Sequence, residues 1–276
     1  MLQRSDTSAT IAPVLGGPRP GIPSLAEVWR RPLPHLDGQR STRWIVRTVL
    51  TAFHWQVREL HGLEAIGVDR DPFILAPNHS QRPEAMLVPA WLSFHRGGRM
   101  VHFMADWNFL LIPVIGAMIR CHDPIVVTRK PAKPAFLNRY KARYAGALPP
   151  FEEARRRLAD GRSVGVFPEG TTNRHPTQLL RGHHGAARLA LDSGVPVVTA
   201  GIRFIGNDGR RPIRDTQPFT VRFGQLPALP APSDDTVTDV ERTRQFHHHL
   251  MTAISTACGK GWQPDGRRSK YALDQD

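Results

Sequence analysis

Two cysteines in 276 residues are too few, and too far apart, for a disulfide framework or a metal knuckle. Cys121 and Cys258 therefore read as reduced, structural thiols of a reducing compartment, and no metal site is expected. No apolar run approaches the roughly 18 residues that crossing a bilayer takes. The best candidate, residues 107–119, is too short and contains Pro113. It reads as a buried helix or an interfacial one. Membrane contact is then peripheral, and the chain is expected in the cytoplasm, at the cytoplasmic membrane face. The N-terminal stretch Met1 to Pro20 lacks the apolar centre of a secretory signal. Acidic residues are scarce as well: 24 Asp and Glu stand against 37 Lys and Arg, a formal net charge of +13. So basic a chain is drawn to polyanions, either nucleic acid or an anionic membrane surface. No aromatic-interleaved nucleic-acid motif accompanies the charge, so no nucleic-acid partner is expected.

What the chain does have is 40% hydrophobic residues, enough for a core over most of its length. Residues 1–38 are rich in proline and glycine without periodicity and read as a flexible leader. From Arg43 the apolar residues Trp44, Ile45, Val46, Val49, Leu50 and Phe53 form a helical stripe with basic neighbours. Such a helix packs on its own domain or lies on a membrane. Short apolar runs then alternate with helical stretches. Strands are expected at 73–76, 100–104, 125–128, 164–167, 195–202 and 219–223. Helices are expected at 83–95, 107–119, 151–160, 185–193 and 240–257. This alternation predicts an α/β fold, a single domain (39–225) with a central mixed sheet flanked by helices. Residues 226–276 follow as a proline-rich linker, a C-terminal helix and a charged tail.

With 13 His and 24 acidic residues, chance alone supplies about one His placed five positions before an acid. The chain contains two, His79…Glu84 and His54…Glu59. Context separates them. His79 follows the apolar run Phe73–Ala76 and precedes a helix whose first turn is marked by Pro83. The exit of a strand into a helix is where α/β sheets place their chemistry. A second strand exit carries Phe167-Pro168-Glu169-Gly170-Thr171, a carboxylate and a glycine in a turn. A third pattern, Gly161-Arg162-Ser163-Val164-Gly165, fits the nucleophile elbow of serine hydrolases. That elbow needs a strand before the serine and a helix after it, and here the order is reversed.

Taken together, Asn78-His79-x4-Glu84 and Phe167-Pro168-Glu169-Gly170-Thr171 resemble the glycerolipid acyltransferase family that includes the 1-acylglycerol-3-phosphate (lysophosphatidate) acyltransferases. Pro124-Ile125-Val126-Val127-Thr128-Arg129, the basic Arg181 shortly before a glycine, and Val195-Pro196 are similar to the family's remaining blocks, in order over residues 60 to 205. The resemblance implies transfer of a fatty acyl group from acyl-CoA or acyl carrier protein, as co-substrate, to a hydroxyl of a lysophospholipid acceptor, with no cofactor. It implies His79 as general base, Glu84 as its orienting carboxylate, Arg129 as a phosphate ligand, and Glu169, Gly170 and Thr171 around the acceptor. Two positions depart from the pattern. Glu84 stands where the family usually has Asp, and Thr172 where an arginine often follows the second block. The missing arginine keeps open a different lipid or natural-product alcohol as acceptor. A non-catalytic basic module that binds membrane or nucleic acid is the alternative outside enzymology.

Overall fold

The structure, a computed structural model, describes residues 19–227 and 238–268. Its seven strands are β1 (Val57–His61), β2 (Ile74–Pro77), β3 (His102–Asp106), β4 (Ile125–Val127), β5 (Val164–Gly165), β6 (Val197–Phe204) and β7 (Phe219–Gln225). They form one sheet in the order β1-β7-β6-β2-β5-β3-β4. Every neighbouring pair is parallel except β6 and β7, so the sheet is mixed, as expected. The helices are α1 (Leu25–Arg30), α2 (Arg40–Ala52), α3 (Glu84–His95), α4 (Pro113–Arg120), the short α5 (Lys141–Tyr144), α6 (Pro150–Ala159), α7 (Gly185–Ser193) and α8 (Asp239–Cys258).

Two apolar layers hold the helices to opposite faces of this sheet. Side chains alternate along a strand, so Leu75 of β2 joins one layer while Ile74 and Ala76 join the other. The first layer takes Val46, Val49 and Leu50 of α2 and Leu87, Trp91 and Phe94 of α3. The second takes Ala154 of α6, Leu189 of α7 and Leu250, Met251 and Ile254 of α8. With both faces covered, central strands have to be apolar throughout, which is why Ile-Leu-Ala-Pro of β2 is entirely buried. Helix α8 lies against β6 at Gly201, where a Cβ atom would come within 2.3 Å of the Ala257 backbone.

Several expectations change. Residues 19–38, expected to belong to a flexible leader, are folded: α1 buries Val28, and Leu33 and Leu36 join the first apolar layer. Residues 1–18 lie outside the described residues, as do 228–237, most of the expected linker, and 269–276 of the tail. Helix α8 is a layer of the same body as the sheet, not an appendage after residue 225. The expected helix 107–119 divides at its proline: a 3-10 turn covers Trp107–Leu111, and Pro113 starts α4, where its missing N–H costs nothing. Strand β5 is only two residues long, because Phe167 already belongs to the turn beyond it. Strand β1 was not foreseen. Its partner β7 lies far along the chain, and the charges in Val-Arg-Glu-Leu-His conceal its alternation. The stripe of α2 packs on the protein's own core, although Trp44 points outward at 61% exposure.

Candidate active site

Strands β2 and β5 are hydrogen-bonded neighbours running in parallel, so the segments that follow them leave the same edge of the sheet. Chain connections diverge there. From β2 the chain goes by α3 to β3, and from β5 by α7 to β6 on the other side. This is the crevice in which open α/β sheets hold their ligands.

The two segments are tied together through His79. Its backbone N–H donates to Glu169 Oε1 at 3.1 Å, and its carbonyl accepts from Asn173 N at 2.7 Å. Before it, Asn78 is buried and pairs with both backbone groups of Ile202 in β6, at 2.7 and 3.1 Å. The His79 ring lies 4.5 Å from that of Phe167, which in turn contacts Phe103 at 5.4 Å. Backbone and ring are therefore both held, and the side chain keeps 14% of its surface exposed.

His79 Nδ1 lies 2.5 Å from Glu84 Oε1. That same oxygen accepts the backbone N–H of Ser80. Glu84 opens α3, so its carboxylate sits at the positive end of the helix and folds back over the loop that precedes it. The extra methylene relative to Asp does not break the pairing. An ionised carboxylate only accepts, so the ring proton resides on Nδ1 and Nε2 is left as an acceptor. The Thr172 hydroxyl lies 3.1 Å from Nε2. The rival pair does not form. His54 bonds to Arg19 and to the Pro23 carbonyl, while Glu59 pairs with His61 at 2.9 Å.

The remaining expected residues are distributed unevenly. Glu169 is 1% exposed and turned inward: Oε1 takes the His79 N–H, and Oε2 takes Asn173 Nδ2 and Leu180 N at 2.8 and 2.9 Å. Both oxygens are thus engaged by protein donors, so Glu169 shapes the site from behind. Burial pushes its carboxyl up, against the pull of these donors and of Lys260. Gly170 is exposed at φ +65°, and a Cβ there would meet the His183 ring at 2.7 Å. Thr171 is half-buried beside it. Arg129 is exposed just beyond β4, which lies three strands, or about 14 Å, from β2. The fold sets it on the same edge as His79 but not in contact with it. Arg174, the next arginine after Thr172, is tied to Asp215 through two 2.7 Å bonds.

Sequence reasoning passed over three neighbours of His79 and its loop. Phe167 was noted only as the strand end that opens the second block, not as a ring packed against that of His79. Thr172 was noted only for the arginine it replaces. Lys260 had no local signal: it follows α8 and reaches under the site to donate to Ser80 Oγ at 2.7 Å. Ser163 of the Gly-x-Ser-x-Gly pattern precedes β5 at the opposite edge, where it is buried and accepts from Phe73 N at 3.0 Å. The thiols are poor nucleophiles, since burial pushes Cys121 up to about 12 and Cys258 up to about 11. Among the described residues no group of three or more His, Cys, Asp and Glu is placed to hold a metal ion. Cavities of about 320 and 710 Å³ lie elsewhere on the surface, and His79 lines neither.

A sequence profile of the acyltransferase family matches residues 57–203, more than half of the chain. No curated protein sequence matches it. Among solved structures, the 1-acyl-sn-glycerophosphate (LPA) acyltransferase PlsC from Thermotoga maritima is similar, with a TM-score of 0.52 and 20% identity over 84% of this chain and 86% of that one. At that identity the likeness concerns the fold.

Proposed function

The chain belongs to the acyltransferase family, and from that premise we propose that it moves a fatty acyl group from acyl-CoA or acyl carrier protein to a hydroxyl of a lysophospholipid, 1-acylglycerol-3-phosphate first. One observation carries this reading: His79 has Nδ1 engaged by a fully buried carboxylate while Nε2 faces a hydroxyl 3.1 Å away. A substrate hydroxyl in the position of Thr172 Oγ1 meets a base already oriented to take its proton.

The step then runs as follows. His79 Nε2 removes the acceptor's proton as its oxygen attacks the thioester carbonyl carbon. The tetrahedral intermediate collapses, the C–S bond breaks, and the imidazolium returns its proton to the departing thiolate. Glu84 holds the ring and stabilises the imidazolium, as the acid of a hydrolase triad does, with the substrate supplying the nucleophile. No acyl-enzyme forms, so the two unreactive thiols are no obstacle. Gly170 and Thr171 line the acceptor side, and Glu169 keeps their turn against His79. Arg129 receives the acceptor's phosphate across the ends of β3.

The same reading brings the protein to an anionic membrane. The segments before and after β4 expose Phe109, Ile112, Val114, Ile115 and Phe136, with Val114 70% and Phe136 61% exposed. Residues 124–151 carry six Lys and Arg and no acid. Apolar side chains to enter the interface and cations to meet anionic headgroups make a peripheral contact. No described helix is long and apolar enough to cross a membrane.

The test is an acceptor panel, with lysophosphatidate, other lysolipids, glycolipids and simple long-chain alcohols, offered with acyl-CoA or acyl carrier protein and read by mass spectrometry. Transfer to lysophosphatidate is expected, and His79→Ala should reduce turnover by about a thousandfold or more while the fold is retained. Transfer only to other alcohols would replace the acceptor, as Thr172 in place of arginine permits. Full activity in His79→Ala would remove the base.

A further inference from the structure

Lys260 is 4% exposed and stands directly after α8, with Gly259 closing the helix at φ +73°. Its ammonium donates to Ser80 Oγ at 2.7 Å and to the His175 carbonyl at 2.8 Å, and lies 5.8 Å from the centre of the Phe204 ring. Ser80 is the residue whose N–H holds the Glu84 carboxylate. A cation 180 positions away in sequence therefore ends beside the loop that carries the base. We propose that Lys260 is a positioning residue for the reaction, the buried counter-charge that holds the Ser80 loop and the carboxylates Glu84 and Glu169 in place around His79. This inference rests on the acyl-transfer reading above.

The local charge count motivates it. Glu84 is fully buried, and its Oε2 finds no partner among the described residues. Glu169 is nearly as buried and bonds to the His79 backbone. Burial by itself pushes the Glu169 carboxyl toward its protonated form, and a nearby cation opposes that push. Lys260 is that cation. The charged or titratable groups it senses are Glu169, Cys258 and Glu84, and it acts in turn on His175. Burial pulls the ammonium down, and the three acidic groups hold it up. Two carboxylates and one ammonium leave the cluster at one net negative charge. The cluster becomes neutral at the moment His79 takes a proton, so the imidazolium of the transfer step completes a charge set already in place. A residue needed only to tie α8 to the loop would not require a charge, and burying one is costly.

The experiment compares wild type, Lys260→Met and Lys260→Arg as full chains, with kcat and KM followed across pH and thermal unfolding recorded. Lys260→Met should lower kcat by about ten- to a hundredfold with KM nearly unchanged. The acidic limb of its rate profile should move to higher pH. That sign is the same for every group concerned, since removing a cation makes both the carboxylates and the imidazole keep a proton to higher pH. Lys260→Arg should recover most of kcat. Should Lys260→Met fail to fold, the double variant Lys260→Met, Glu169→Gln restores the net charge of the cluster, and its acidic limb should lie where the wild-type limb lies. A folded Lys260→Met with an unmoved limb, or a double variant shifted to higher pH, overturns the proposal. If wild type acylates nothing, the functional reading fails by itself. The charge role is then read by NMR titration of the His79 ring in wild type and Lys260→Met, where the two curves should differ, and coincident curves would sink it.

Discussion

Two stretches leave the same edge of the sheet and are built in opposite ways. The loop after β2 has the backbone N–H and carbonyl of His79, the ring's Nδ1, and the side chains of Asn78, Ser80 and Gln81 all engaged, mostly out of reach of water. The stretch from β4 to α6 keeps most of its residues exposed, Arg129 among them, and its phenylalanine and tyrosine side chains at 136 and 140 face outward. The difference fits the roles proposed for the two stretches. A base has to hold one nitrogen within a few tenths of an ångström of a reacting hydroxyl, and only packed, bonded neighbours do that. A surface that meets lipid needs reach and charge, which bonded neighbours would take away.

The sharpest way to break this contrast is at Glu84. Glu84→Gln keeps the shape but replaces the acceptor oxygen with a donor in one of its two orientations. It should lower kcat by about a thousand- to ten-thousandfold, as loss of the triad acid does elsewhere. Glu84→Asp restores the charge on a shorter arm and should cost much less. Equal, near wild-type kcat in both variants would end the orienting role.

Acid should strike the packed region next. Burial lowers His95, at the end of α3, and His247, on α8, to about 4 each. Their unfolded forms titrate near 6.5, so the unfolded chain takes up protons first. The stability they contribute is full above about pH 6.5 and is lost as pH falls toward about 4. Urea midpoints should therefore drop between pH 7 and 5, and the drop should shrink in His95→Gln. A midpoint independent of pH would show that these two rings do not control acid sensitivity.

The open stretch should respond least. Replacing Arg139, Lys141 and Arg143 with Glu should weaken binding to phosphatidylglycerol vesicles by about tenfold or more, since each cation near an anionic surface contributes about 1 kcal/mol. Stability and turnover on a dispersed short-chain acceptor should stay near wild type. Equal vesicle binding by variant and wild type would remove this stretch from the proposed membrane contact.

How much of this was legible depended on distance along the chain. Strand β2, helix α3 and helix α7 were readable because their apolar periods and their punctuation, Pro83 and Gly194, lie within a few residues of one another. His79 and Glu84 were readable for the same reason, five positions apart across one strand exit. Strand β1 was not, because what makes it a strand is pairing with β7. Nor was the packing of residues 19–38, whose Val28, Leu33 and Leu36 are buried only because the first apolar layer passes beneath them. Glu169 illustrates both sides: its turn was evident, but its inward direction depends on Leu180 and the His79 N–H being there to receive it.

By itself the sequence determined the α/β alternation, the two motifs and the chemistry their residue types can carry, since these follow from local periodicity and side-chain functional groups. The tertiary structure alone decided that the motifs touch, that Thr172 faces His79 Nε2, that Arg129 stands three strands away, and that Lys260 lies beneath Ser80. Those are relations between segments far apart in the chain. They arise when apolar faces are buried against one sheet, and no local pattern records which distant side chains that burial brings together.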